Sequence, residues 1–206
     1  MRNLLVHGCY DRATLNTLTN LGIKRIAFDL RATSPNLIPF KELLSLLQQY
    51  NAEEIVLTFQ NDKQNTVLSF LDLLKDEPFK ILLEFRDQKD ITYYHSLNVP
   101  FLWMFHPEAD WKNIMLLRKL KGVLLPLKWK EDYQEQGELW DIIEQRNLEV
   151  FLHAENFEDA QELSHLNEIN LSLDLTAEIE TGYRRVDQEL LKKMELWSKL
   201  NENSPL

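Results

Sequence analysis

One cysteine, Cys9, stands in a chain of 206 residues. No disulfide can form within the chain, and a site built of four thiolates is excluded. A lone thiol fits a reducing compartment, so a cytoplasmic location is expected. No run of about 18 apolar residues occurs, so no segment is expected to span a bilayer. The opening residues, Met1 to His7, lack the long apolar stretch of a signal peptide. Cations are outnumbered: 23 Lys and Arg face 33 Asp and Glu, a formal net charge of −10. Affinity for a phosphate backbone or an anionic membrane is mostly cationic, so neither nucleic acid nor membrane is expected as a partner. Glycine is also scarce, with 5 residues: Gly8, Gly22, Gly122, Gly137 and Gly182. Phosphate cups in barrels rely on backbone N–H groups brought close to the ligand, where glycine helps most.

What is present is a repeating pattern. The hydrophobic fraction of 44% is ample for one packed core in a chain of this length. Eight short apolar runs begin at Leu4, Ile26, Ile55, Ile81, Phe101, Val123, Val150 and Leu171. Runs of this kind are strands buried on both faces. Amphipathic stretches alternate with them, predicting helices over 14–21, 40–49, 66–74, 91–97, 111–120, 139–145, 157–166 and 187–200. Gly22 is placed to stop the first helix and Pro39 to start the second. Strand starts recur about every two dozen residues, as βα units require. The expected fold is α/β: a small single-domain (β/α)8 TIM barrel over residues 1–206, with a disordered tail over 201–206. An open doubly wound sheet uses the same local pattern and is the alternative.

In such a barrel the C-terminal strand ends carry the site. Those ends supply His7 and Cys9, Asp29 and Arg31, Gln60, Glu84 and Arg86, His106, Lys128, His153 and Glu155, then Asp174 and Thr176. A thiol at Cys9 can serve as base or nucleophile if its pKa is lowered; otherwise it is a small buried hydrophobe. Asp29, Glu84, Glu155 and Asp174 invite a divalent metal, but no compact ligand motif accompanies them. Ion pairs with Arg31, Arg86 and Lys128 account for the same carboxylates. Neither a metal nor a cofactor is therefore expected. The loops after the last two strands carry Glu155 and Glu178, which repel phosphate, while Arg184 and Arg185 partly compensate. Trp129, Tyr133 and Trp140, if exposed together, would mark a partner surface.

The order of these features resembles phosphoribosylanthranilate isomerase, across nearly the whole chain. Val6-His7-Gly8-Cys9 is similar to the family's first strand, which ends in its catalytic cysteine. Ile26-Ala27-Phe28 with Ser34-Pro35-Asn36 resembles its second strand and Ser-Pro-Arg loop. Val56-Leu57-Thr58-Phe59-Gln60-Asn61 resembles the third strand, and Asp174 to Glu180, then Asp187, the last strand and helix start. The resemblance implies a cofactor-free Amadori rearrangement of a phosphoribosylated anthranilate in tryptophan biosynthesis. A cysteine base and an aspartate acid would flank the sugar.

Cys9 matches that base. The acid should end strand six, where Pro126 stands and cannot donate a proton; Lys128, Glu131 and Asp132 are nearby candidates to substitute, with Asp132 taken as the candidate acid. Asn36 replaces the arginine that pairs with the substrate carboxylate. Leu82-Leu83-Glu84-Phe85 replaces Gln-Leu-His-Gly. Ala154, Glu155 and Glu178 replace the glycines of the phosphate cup. The expectation is an isomerase-like barrel with a degraded active site and weak or absent parent activity. The alternatives are a working isomerase with a displaced acid, a non-catalytic binding or interaction barrel, and a metal-assisted enzyme at the same mouth. A small-molecule ligand at the C-terminal face would contact His7, Asp29, Arg31, Glu84, Arg86, Lys128, His153, Asp174, Arg184 and Arg185. A protein partner or a homodimer is compatible with the sequence.

Overall fold

The computed structural model of the protein describes residues 4–34, 36–48, 50, 54–155, 159, 170–174, 180–182 and 185–186, the last two segments as backbone alone. Eight parallel strands close into a barrel: β1 (Leu4–His7), β2 (Arg25–Asp29), β3 (Glu54–Phe59), β4 (Lys80–Phe85), β5 (Phe101–Met104), β6 (Leu120–Pro126), β7 (Glu149–Ala154) and β8 (Asn170–Asp174). Closure is direct: β8 pairs with β1, with Leu171 beside Leu4 and Asp174 beside His7. An open doubly wound sheet is thereby ruled out, because neither β1 nor β8 is left as an edge. A short antiparallel pair, β9 (Glu180–Gly182) and β10 (Arg185–Val186), follows the barrel.

Seven helices lie among the described residues: α1 (Arg12–Asn20), α2 (Phe40–Leu47), α3 (Gln64–Leu73), α4 (Ile91–Leu97), α5 (Trp111–Met115), α6 (Lys130–Gln134) and α7 (Gly137–Arg146). Local chemistry sets several of their ends. Asp11 caps α1, its carboxylate accepting from Thr14 N at 2.7 Å. Gly22, at φ +76°, ends the same helix, with Ile23 N donating back to Leu18 O. Asn98 and Asn147 close α4 and α7 in the left-handed conformation that asparagine tolerates. Pro39 sits one residue outside α2, as its N-cap.

The helix predicted over 111–120 stops at Met115. Leu120 is already strand, paired with Phe101, so the intervening residues must carry the chain back to the sheet. Arg146 caps this shortened helix by donating to the carbonyls of Met115 and Leu117. A 3-10 turn (Leu127–Trp129) and α6 were not expected; both fill the connection between β6 and α7. The helices predicted over 157–166 and 187–200 and the tail over 201–206 lie outside the described residues, Asp159 apart.

Strand alternation divides the core in two. One face of each strand packs outward against helices in a large cluster that includes Val6, Phe28, Leu57, Phe85, Trp103 and Leu173. The other face fills the barrel with Leu5, Ala27, Val56, Leu82, Leu102, Met104, Leu124 and Phe151. Arg25 covers the N-terminal end of that inner layer: it lies over the Phe151 ring, forms an ion pair with Glu54 at 3.1 Å and forks onto Glu149.

Gly122 lies where β6 meets Glu149. A Cβ there would stand 2.6 Å from the Glu149 carbonyl oxygen, a backbone atom that cannot swing aside. Gly122→Ala is expected to destabilise the fold by about 1–3 kcal/mol through overpacking, measured as a lowered urea midpoint at unchanged slope.

Candidate functional site

The inner layer continues upward by the same two-residue step. Leu5 is followed by His7, Ala27 by Asp29, Val56 by Thr58, Leu82 by Glu84, and Phe151 by His153. On β8 the equivalent pair is Ser172 and Asp174, while Arg86 follows Glu84 just beyond β4. The C-terminal half of the barrel is thus a polar layer set directly on an apolar one. It is nevertheless buried: Glu84 is 0% exposed, His7 2%, Arg86 8% and Asp174 9%. On the β5 and β6 side the corresponding positions are Met104 and Pro126, so the polar half is one-sided.

Arg86 holds this layer together. Its Nε donates to Glu84 Oε1 at 2.8 Å, one terminal nitrogen to Asp174 Oδ2 at 2.5 Å, and the other to His7 Nδ1 at 2.9 Å. Arginine only donates, so His7 Nδ1 must be the bare nitrogen and Nε2 must carry the proton. That proton goes to Ser172 Oγ at 2.8 Å. Ser172 then has its own hydroxyl proton to give, and His153 Nδ1 accepts it at 2.9 Å. One arginine therefore fixes the tautomers of two histidines through a serine. Burial, then the positive charge of Arg86, push both imidazoles down; His7 falls well below its ordinary value and His153 to about 3. Burial pushes Glu84 up, against the pull of Arg86. Glu84 and Asp174 in turn hold the Arg86 guanidinium charged despite its burial.

Two buried oxygens in the layer, Glu84 Oε2 and Thr58 Oγ1, have no hydrogen-bond partner among the described residues. Asp29 stands beside this network and is gripped by Arg31, through the backbone N–H at 3.0 Å and Nε at 2.8 Å. His106 tethers the loop after β4 by a 2.9 Å contact from Nε2 to Arg86 O.

The structure thus brings His7, Asp29, Arg31, Glu84, Arg86, His153 and Asp174 to one end of the barrel. It keeps others apart. Cys9 is fully buried in the outer cluster between sheet and helices, its thiol directed at Asp11 O, 3.9 Å away. Burial and the nearby Asp11 charge push that thiol far above its ordinary range. Asp132 is exposed on α6. Lys128 is exposed after β6 and pairs with Glu155 at 2.8 Å. Arg184 lies outside the described residues, as does the side chain of Arg185.

Asn36 is buried, and its amide donates to Gly8 O at 3.2 Å, pinning two loops together. The metal-assisted alternative meets an obstacle: among the described residues no three or more His, Cys, Asp and Glu side chains are grouped as metal ligands would be. Arg86 lies between Glu84 and Asp174, and Glu155 faces solvent. Trp129, Tyr133 and Trp140 do not form an exposed patch. Tyr133 is buried, Trp140 donates to Tyr133 O at 2.9 Å, and Trp129 packs on His106 at 4.6 Å. Sequence reasoning passed over Ser172 and Thr58. Both lie in step with inward-facing strand residues, a signal that period-two counting along each strand contains.

No family model and no curated protein matches the sequence. Solved structures share its fold. A monomeric form of the dimeric phosphoribosylanthranilate isomerase of Thermotoga maritima aligns with a TM-score of 0.70 at 13% identity, over 97% of this chain and 99% of that one. The enzyme of Thermus thermophilus aligns at 0.67 with 16% identity, over 99% and 100%. That of Thermococcus kodakaraensis aligns at 0.69 with 10% identity, over the full length of both. The architecture implied by the sequence resemblance is the architecture found. Identity this low carries the fold, and chemistry must be argued from side chains.

Two outcomes follow from the histidine arrangement. The unfolded chain takes up protons near the ordinary histidine value of 6.5, whereas the folded chain resists them. Stability from both groups is complete above that pH and falls below it, by about 1.4 kcal/mol per pH unit for each histidine. Glu84 has the opposite sign: its raised folded value favours the fold in acid and loses that contribution as pH rises through it. Within this layer the two histidines outweigh Glu84, and the net acid destabilisation is read as a falling melting temperature between about pH 7 and pH 5. Separately, Ser172→Ala strands the His7 Nε2–H and the His153 Nδ1 lone pair. It is expected to cost about 1–3 kcal/mol for each unsatisfied group in chemical denaturation.

Proposed function

We propose that this protein is a phosphoribosylanthranilate isomerase-like barrel in which the parent activity is weak or absent. The observation that carries the reading is the filled mouth. The parent reaction needs a sugar phosphate held between a base and an acid within hydrogen-bond reach. Among the described residues the inward-facing polar layer at the mouth is occupied by Arg86, already bound to Glu84, Asp174 and His7. The thiol expected to act as base is buried in the outer cluster with its thiolate strongly disfavoured. The acid candidate, Asp132, is on a surface helix outside this network. Asn36, at the place of the carboxylate-binding arginine, is engaged with backbone. Each change removes a separate requirement of the reaction, and the effects of base, acid and binding groups multiply in rate.

The direct test is turnover of phosphoribosylanthranilate by the full chain, followed by loss of substrate fluorescence with protein in excess. Conversion far below ordinary enzymatic rates, or none above the uncatalysed rate, is expected, with no growth of a tryptophan auxotroph that lacks the isomerase. Turnover in the ordinary enzymatic range of about 1–10³ s⁻¹ would overturn the reading. Sensitivity of that turnover to Cys9→Ala would then restore the cysteine as base, and insensitivity would assign another group.

A further inference from the structure

The acceptors around Arg86 form a built site. Glu84, Asp174 and His7 come from three strands, β4, β8 and β1, and each presents an acceptor to a different nitrogen of one planar cation. All three are buried, so the receptor is largely withdrawn from solvent. It also has capacity that Arg86 does not use. Glu84 Oε2, in a side chain 0% exposed, faces this centre 3.4 Å from His7 Nδ1 and has no donor among the described residues. Arg86 is attached two residues along the same strand direction and reaches Glu84 through Nε to Oε1 alone. A guanidinium free of that tether can turn to engage both carboxylate oxygens, the bidentate geometry this pair prefers. Formal charges of the described side chains in this layer agree: Asp29, Glu84 and Asp174 exceed Arg31 and Arg86 by one negative charge, and removing Arg86 raises that excess to two.

We propose that the barrel mouth is a receptor for a guanidinium-type cation, a planar forked donor, and that Arg86 is its tethered occupant. The occupant is a cation, where the parent reaction would require an anionic sugar phosphate. This rests on the reading of the mouth as unable to serve the parent reaction. Arg86 competes from within at the high local concentration that tethering confers. A free cation therefore gains the site only when Arg86 is truncated or swings outward.

The experiment is chemical rescue of Arg86→Ala in the full chain. Ethylguanidinium replaces what the substitution removes beyond Cβ: two methylene carbons and the guanidinium. The variant alone should melt well below the wild-type chain, since two buried carboxylates lose the guanidinium they share. Low-millimolar ethylguanidinium should raise its melting temperature along a saturating curve, as a ligand of the native state does. Ethylammonium, a point charge without the fork, should raise it far less, and inorganic phosphate not at all. The wild-type chain should show no rise. Adding Glu84→Gln to Arg86→Ala should weaken the rescue.

Should Arg86→Ala not fold alone, the yield of soluble protein on refolding with and without ethylguanidinium replaces the melting temperature. Equal response to ethylammonium, stabilisation by phosphate, or no response of either readout to ethylguanidinium would each overturn the proposal. These outcomes are separable from failure of the isomerase reading, which is decided by turnover of the unsubstituted chain.

Discussion

A guanidinium buried at the end of a barrel is tolerable only when its donors are met and its charge is balanced. Arg86 meets both conditions with Glu84 and Asp174, and the rest of the polar layer takes its form from that fact. Because Arg86 donates to His7, the imidazole must present a bare nitrogen there. Because His7 then donates to Ser172, the serine must pass its own proton to His153. Hydrogen-bond direction propagates over three strands from a single residue that can only donate. Neutral buried histidines are a consequence of this chain of donors, reinforced by the positive charge beside them.

The same network separates architecture from chemistry. Phosphoribosylanthranilate isomerases of three organisms share this barrel at 10–16% identity. A barrel of this kind asks little of particular residues: branched apolar side chains inside, apolar stripes on the helices, and polar connections. Those demands are met by many sequences. Catalysis asks for specific groups at specific distances, and here the groups at the mouth are engaged with one another. Both ends of the barrel are in fact closed by arginine, Arg25 at the N-terminal end and Arg86 at the C-terminal end, each holding two carboxylates.

Two residues illustrate how placement overrides identity. Cys9 and His7 stand two apart in sequence, so a continuing strand would point both inward. The strand ends at His7, and Cys9 turns into the packing between sheet and helices. Burial then makes its thiolate costly. Asn36 looks from sequence like a weakened ligand contact, but its amide serves the backbone of the loop after β1.

The sequence by itself determined the eight strands, the βα alternation and most limits of the described helices to within about two residues, because these follow from local periodicity and from stops such as Gly22. It also identified most of the polar residues at the mouth, since alternation and strand ends are local properties. Tertiary structure decided what those residues do. That Glu84 and Asp174, 90 residues apart, share one guanidinium depends on barrel closure between β8 and β1. So does the place of Ser172, whose hydroxyl joins two histidines that no short-range pattern connects. Burial, which sets the charge of each group, is a property of the closed barrel and of no segment within it.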